Sequence, residues 1–329
     1  MCTSLTLKTR DEHHLLGRTM DFAIDFNQQV RFIPRDFTVS NIIDNSTSKT
    51  KYALLGMSAL LGNHPVLADG VNEEGLACAT LYLPGFADYH KAPIEGKNNI
   101  APYDFVLWSL SNFKTLEEVK DALSNTIIVE AHLSLIGVIP PLHWILSDKS
   151  GKSIVVEKTA KGLNIYDNPI GIMTNSPDFE WHLTNLRQYL GVKAMQLPDA
   201  NWDGLTLSPF SQGSGTFSLP GDFTPPSRFV RAAFLKNNIT HKDTEIDGVT
   251  ALFHILSSCD IPKGAVLKPD GSEDITMYSS AMCLESGTYY YHDYDNRQIT
   301  AINLFNEDFN SKDIKSYPYR NKQSILKEN

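Results

Sequence analysis

Apolar and polar positions alternate in short runs along most of the chain. "SLTLK", "HLLGRTMDF", "VRFIP", "KYALLGM", "LACATLYL", "LHWILSD", "KSIVVEKT", "GLNIYDN", "GIMTN", "ITMYSSAMCL", "GTYYYHDYD" and "QITAINLF" are rich in β-branched or aromatic residues and bounded by Gly, Asn, Asp or Lys. This pattern predicts strands, and "SDKSGKSIVVEK" and "YDNRQITAINL" predict hairpins. Helical spacing is rarer. "YDFVLWSLSNFKTLEEVKDAL" predicts two helices within residues 103–123, the second opened by a capping box from Thr115 to Glu118. "SPDFEWHLTNLRQYL" predicts a third, with Ser176 as N-cap and Pro177 at the first helical position. "PPSRFVRAAFLKN" and "DGVTALFHILSSC" predict two more. Between the third and fourth lies "LTLSPFSQGSGTFSLPGDFTPP", a Gly/Ser/Pro-rich segment too long for a simple connection.

Strands first, helices in the middle and strands last do not form a βαβ repeat. They predict an α+β chain of packed antiparallel sheets with helices on the outside, as one domain over 1–329. Composition is ordinary for a globular protein, at 42% hydrophobic and 20% charged residues. The net charge of −9, with no clustered Lys/Arg face, argues against nucleic acid or an anionic membrane as partner. The longest apolar stretches, "YALLGMSALLG" and "LSLIGVIPPLHWIL", are too short to cross a bilayer. No secretory signal pattern opens the chain, so a cytoplasmic, reducing location is expected.

Cys2, Cys78, Cys259 and Cys283 are widely spaced and are expected to be free thiols. No pair of histidines flanks a glutamate at helical spacing, so no metal and no cofactor are expected. Two further patterns fail on context. Ser46 to Lys49 matches a short S-x-x-K but sits in a polar loop without its companion motifs, and "QGSGTFSLPG" fits neither a dinucleotide nor a nucleophile-elbow signature.

The second residue carries the chemistry. Cys2 is either a small apolar filler or, once Met1 is removed, a residue holding a thiol and a free α-amine together. An α-amine titrates near pH 7.7–8.0 in model peptides, so it serves as a base near neutrality, whereas a thiol needs a base to attack. A tight turn centred on Asp11-Glu12 would pair residues whose numbers sum to 23, setting Cys2 opposite Asp21 and Ser4 opposite Thr19. In that register Arg18 has the wrong parity and needs a bulge to reach Cys2. On the residues alone, both readings of Cys2 stay open.

Seven blocks, in order, bring in a resemblance: "MCTSLTLKT", "LLGRTMDF", "VNEEGLACATLYLPGF", "PPLHWILSDKSGKSIVVE", "GIMTNSPDFEWHLTNLRQYLG", "LPGDFTPPSRFVRAAF" and "YYYHDYDNRQITAINL". The chain resembles the cholylglycine hydrolase family of N-terminal nucleophile hydrolases, which holds bile salt hydrolases and penicillin V acylases. The resemblance implies a four-layer αββα sandwich of antiparallel sheets, loss of Met1 and no cofactor. It implies Cys2 as nucleophile, Arg18 beside its sulfur and Asp21 holding its amine. Asn175 (side-chain amide) and Tyr82 (backbone N–H) become oxyanion donors, and Arg228 an active-site guanidinium. Taken singly, each has a plainer role: surface ion pair, turn residue, core aromatic or solvated helix residue.

The family's two branches share this machinery and differ in the pocket. The position of Tyr82 is typically Asn in bile salt hydrolases and Tyr in penicillin V acylases, and "GRTMDF" and "TNSPDFEWHLTNLR" also look more like the acylase branch, so the expected reaction is hydrolysis of penicillin V to phenoxyacetate and 6-aminopenicillanic acid. The alternatives are release of glycine or taurine from conjugated bile salts, or a non-catalytic scaffold should Met1 stay. Met20, Leu133 and Ile136 are expected to line the acyl pocket. The resemblance further implies a small-molecule amide substrate and a homotetramer, with the Gly/Pro/Ser-rich 190–222 segment reaching a neighbouring subunit.

Overall fold

The computed structural model describes residues 1–240 and 242–329. Its centre is two sheets. In chain order the main strands are β1 (Cys2–Lys8), β2 (His14–Phe22), β3 (Gln29–Ile33), β4 (Leu54–Leu61), β5 (His64–Asn72), β6 (Ala77–Tyr82), β7 (Leu142–Ser147), β8 (Ser153–Thr159), β9 (Gly162–Asp167), β10 (Ile172–Met173), β11 (Ile275–Cys283), β12 (Thr288–Asp293), β13 (Thr300–Asn303) and β14 (Lys315–Ser316). One sheet runs β10-β1-β2-β11-β12-β13, the other β9-β8-β7-β6-β5-β4-β3-β14, and the pairings in both are antiparallel. Five α-helices accompany them: α1 (Phe105–Asn112), α2 (Leu116–Leu123), α3 (Phe179–Asn185), α4 (Pro225–Asn238) and α5 (Glu245–Ser257). Helices α4 and α5 pack on the first sheet and α1 on the second, giving the expected αββα order. Burying both faces of each sheet explains why strands such as "SIVVEKT" are interior throughout.

Glycine sets one of these contacts. A Cβ on Gly17 would stand 2.4 Å from a Leu252 methyl and 2.7 Å from the Ser280 carbonyl, so only Gly lets α5 approach β2 this closely.

Three local expectations are corrected. The first is the opening register. Thr9 N–H donates to the His13 carbonyl and Glu12 takes φ 68°, which makes the loop the three residues Arg10–Glu12 rather than two. Pairs therefore sum to 22: Cys2 opposes Met20 and Ser4 opposes Arg18. The one-residue slip exchanges the faces of β2, so Arg18 joins Cys2 without a bulge while Asp21 turns to the opposite face. The second is the start of α3. Asp178, not Ser176, caps it by accepting the Trp181 N–H, and the Ser176 hydroxyl donates to the Pro84 carbonyl instead. The third is the box on α2, which is half formed: Thr115 accepts from Glu118 N–H, but the Glu118 carboxylate accepts from Lys114. The 190–222 segment contains a small exposed hairpin, Ala200–Trp202 with Leu205–Leu207.

Candidate active site

Cys2 begins β1 with its side chain between the two sheets, 2% exposed. Arg18, on the same face of β2, points a guanidinium Nη2 at the Cys2 sulfur from 2.8 Å. Arg18 is itself fully buried, and burial opposes its charge. Cys2, Tyr278 and Asp69 more than offset that, so its pKa lies above the ordinary arginine value. Asp69 of β5 stands 3.4 Å from Arg18 Nη1 and accepts hydroxyl hydrogen bonds from Tyr278 (2.7 Å) and Tyr289 (2.5 Å). A bulge in β11 between Thr276 and Tyr278 brings Tyr278 opposite Met20. Its ring lies 5.8 Å from the Arg18 guanidinium carbon.

The backbone of Cys2 is held as tightly as its sulfur. Its N–H donates to Asn175 Oδ1 at 2.7 Å, and its carbonyl accepts from Arg228 Nη1 at 2.5 Å. Arg228, in the first turn of α4, also donates to Thr3 Oγ1 and, through Nη2, to Asn175 Oδ1, both at 2.7 Å. Arginine only donates, so these bonds fix which end of the Asn175 amide faces Cys2. Asn175 Nδ2 donates to the Tyr82 carbonyl at 2.8 Å, leaving a second amide hydrogen uncommitted.

Asp21 lies behind this layer. It accepts from Thr276 at 2.6 Å and Thr19 at 3.2 Å, with Arg228 3.8 Å away. Burial pushes its carboxyl above the ordinary value, while Arg228, the chain's amino terminus and Thr276 pull it back. Asp21 N–H donates to the Met1 carbonyl at 3.0 Å, and the Met1 amine donates to the Asp21 carbonyl at 2.5 Å.

The Cys2 sulfur opens onto one elongated cavity of about 740 Å³, counting its open mouth. Met20, Leu133 and Ile136 line it with Cys2, Arg18 and Tyr82. All six residues assigned chemistry are thus brought together: Arg18, Asn175 and Arg228 on Cys2, Asp21 behind them beside Arg228, and Tyr82 through Asn175. Burial raises the Tyr82 phenol to about 12, so it lines the cavity as a neutral hydroxyl. Its ring packs against Phe22 at 5.2 Å.

A second tier of residues was not anticipated. His143 joins Glu157 (Nδ1 to Oε1, 2.9 Å) to the Thr174 carbonyl (Nε2, 2.9 Å), and His182 Nε2 donates to the Asn175 carbonyl at 2.8 Å. Together they hold the backbone that carries Asn175. Asp69 and Glu157 did leave a signal, since each is an acid directly following an apolar run within its strand, "VLAD" and "IVVE". Such residues are almost never fully buried unless partnered. Thr19, Thr276 and Tyr278 left none.

Residues 2–317 match the model of the family described as linear amide C-N hydrolases, choloylglycine hydrolase family. The chain belongs to the choloylglycine hydrolase family. It is 46% identical over 325 residues to a bile salt hydrolase/transferase of Clostridium perfringens, covering 99% of both chains. A crystal structure of a mutant conjugated bile acid hydrolase from Clostridium perfringens superposes with a TM-score of 0.95, at 45% identity and full coverage of both. A penicillin V acylase of Pectobacterium atrosepticum is more distant, at 28% identity over 69% of this chain and 57% of that protein. The fold is that of N-terminal nucleophile hydrolases, as the resemblance implied. The expected order of the two branches does not hold: these relatives support the bile salt alternative better than the penicillin V reading. Among the described residues, no helix is long and apolar enough to cross a membrane.

Proposed function

We propose that this choloylglycine hydrolase cleaves the amide bond of glycine- and taurine-conjugated bile acids, with Cys2 as the N-terminal nucleophile after Met1 is removed. The observation that carries the reading is a buried sulfur 2.8 Å from a buried guanidinium, at the wall of a largely apolar cavity. Near-complete coverage by a 46% identical bile salt hydrolase supports the acyl group chosen.

Removing Met1 turns the Cys2 nitrogen from an amide into a primary amine at the same place, where Asn175 Oδ1 accepts from it. In the proposed reaction the amine takes the thiol proton and the sulfur bonds to the substrate carbonyl carbon. The second Asn175 amide hydrogen and the Tyr82 backbone N–H stabilise the oxyanion. The C–N bond then breaks, the leaving amine takes the proton from the terminal ammonium, and a thioester remains. Water adds to the thioester, the acid leaves and the thiol is restored. Asp21 and Arg228 position the terminal residue from behind. With Met1 retained the nitrogen stays an amide and no base is present, so the protein would be only a scaffold.

The test is one preparation assayed on glycocholate, taurocholate and penicillin V, with its intact mass measured alongside. Expected is a mass short by one methionine and a preference for the conjugated bile acids. Preference for penicillin V would reverse the choice of branch, and Tyr82 at the cavity wall is the one residue that favours that second reading. We also propose that the chain assembles as a tetramer through the 190–222 segment, where Trp202 and Phe210 are 70% and 98% exposed. Sedimentation of the purified chain checks this.

A further inference from the structure

The β1–β2 hairpin carries chemistry at both ends. At the end away from Cys2, three elements converge: the turn holding His13, the first residue of α5, Glu245, and the last residue of β11, Cys283. His13 Nε2 or Nδ1, a Glu245 carboxylate oxygen and the Cys283 sulfur all lie within 4.8 Å of one another, the only such cluster of His, Cys, Asp and Glu among the described residues. His13 Nε2 faces Glu245 Oε2 at 3.8 Å, a little longer than the roughly 3.4 Å nitrogen–oxygen edge of a tetrahedral zinc shell. We propose that His13 Nε2, Glu245 Oε2 and Cys283 Sγ form a site for a divalent transition metal, with zinc(II) the best match.

Two of the three ligands already stand against an outer partner. Asp11 Oδ1 stands 2.9 Å from His13 Nδ1, which leaves Nε2 as the coordinating nitrogen. Metal-bound histidines commonly hold their second nitrogen against a carboxylate in this way. Glu245 Oε1 accepts from Ser286 (2.7 Å) and Tyr290 (2.8 Å), so Oε2 is the oxygen left for a metal. The turn is pinned to the segment leading into α5 by Arg10 N–H to the Lys242 carbonyl (3.0 Å) and Asp11 N–H to the Asp243 carbonyl (3.1 Å). A capping box, Thr244 with Asp247, fixes where α5 starts and hence where Glu245 stands.

Zinc bonds run about 2.0–2.1 Å to nitrogen, 2.0–2.2 Å to carboxylate oxygen and 2.3 Å to sulfur, so tetrahedral edges are roughly 3.4–3.6 Å and the triangle, whose atoms lie within 4.8 Å of one another, has to contract on binding. The donor set suits the ion: one imidazole, one carboxylate and one thiolate balance a dication, and water completes four-coordination. On binding, Cys283 loses its thiol proton to solvent as the metal–sulfur bond forms, with no change of oxidation state. Calcium and magnesium, which need six or more oxygen donors, do not fit. The site is remote from the Cys2 end of the hairpin, and its role is to tie turn, helix and strand together.

The test uses cobalt(II) as a spectroscopic probe on the full chain bearing Cys2→Ser, which removes the competing active-site thiol. One equivalent of cobalt is expected to give thiolate-to-metal charge-transfer absorption and strong four-coordinate ligand-field bands, and zinc to displace it. Cys283→Ser should abolish the charge-transfer absorption, His13→Ala should weaken binding at least about tenfold, and Asp11→Asn should weaken it by about 10–100-fold. Because His13 sits on the surface turn, its variant reports even should Cys283→Ser not fold. Absence of the absorption, or its survival in both Cys283→Ser and His13→Ala, overturns the proposal.

Discussion

Two buried thiols lie at opposite ends of the β1–β2 hairpin, Cys2 on β1 and Cys283 on the neighbouring β11. At its Cys2 end a guanidinium reaches the sulfur at 2.8 Å, and two arginines, two carboxylates and three threonines interlock around the residue. At the other end the Cys283 sulfur faces the Glu285 carboxylate at 3.9 Å and the His13 imidazole, and burial pushes its thiol up to about 11. Both sulfurs are sheltered, so shelter alone does not make a nucleophile. What sets the proposed nucleophile apart is the guanidinium at its sulfur and, once Met1 is removed, an amine on the same residue.

The strongest way to break this comparison is to exchange the thiols. Cys2→Ser is expected to lower conjugated bile acid hydrolysis by about 10³-fold or more, whereas Cys283→Ser stays within about threefold of the parent. Comparable losses from the two substitutions, read as kcat/KM, would erase the distinction. Next comes Asn175→Ala, which removes a proposed oxyanion donor and the acceptor that holds the Cys2 nitrogen. A loss of about 10²–10³-fold in kcat is expected; an unchanged kcat would leave Asn175 with a merely structural part.

His182 sharpens the contrast through stability. Burial lowers its pKa from 6.5 to about 4, so the folded chain keeps it neutral while the unfolded chain takes up a proton first. Its contribution is therefore complete above about pH 6.5 and is lost as pH falls toward 4, by up to about 3 kcal/mol. Denaturant unfolding at pH 7 and pH 4.5 should show a smaller pH dependence for His182→Gln than for the parent. An equal dependence would mean that His182 is not the residue that titrates. The mildest change is Tyr82→Asn, expected to move the ratio of taurocholate to penicillin V turnover by about tenfold toward taurocholate, at the lower end of what one pocket contact supplies. No movement in that ratio would take Tyr82 out of substrate choice.

Much of this was legible in the chain. Period-two runs gave the strands, and the placement of helical segments between them gave two packed sheets with helices outside, because each element must bury one face. The motif blocks gave Cys2, Arg18, Asp21, Asn175 and Arg228. Side-chain facing was harder. A loop one residue longer than expected moved Arg18 to the thiol's side and Asp21 away from it, and nothing in "TRDEHH" announces that Glu12 adopts a left-handed backbone. Substrate choice was least legible: Tyr82 is one cavity residue among many, and similarity along the whole chain supports the bile salt alternative better.

The sequence by itself determined which elements form and which residue types are available for catalysis, because periodicity and local capping act over a few positions. Tertiary structure decided which of those residues meet. Arg228 reaches Cys2 across 226 positions and Thr276 reaches Asp21 across 255. Contacts of that span are fixed by how the sheets stack and where β11 bulges, through packing that no local pattern encodes.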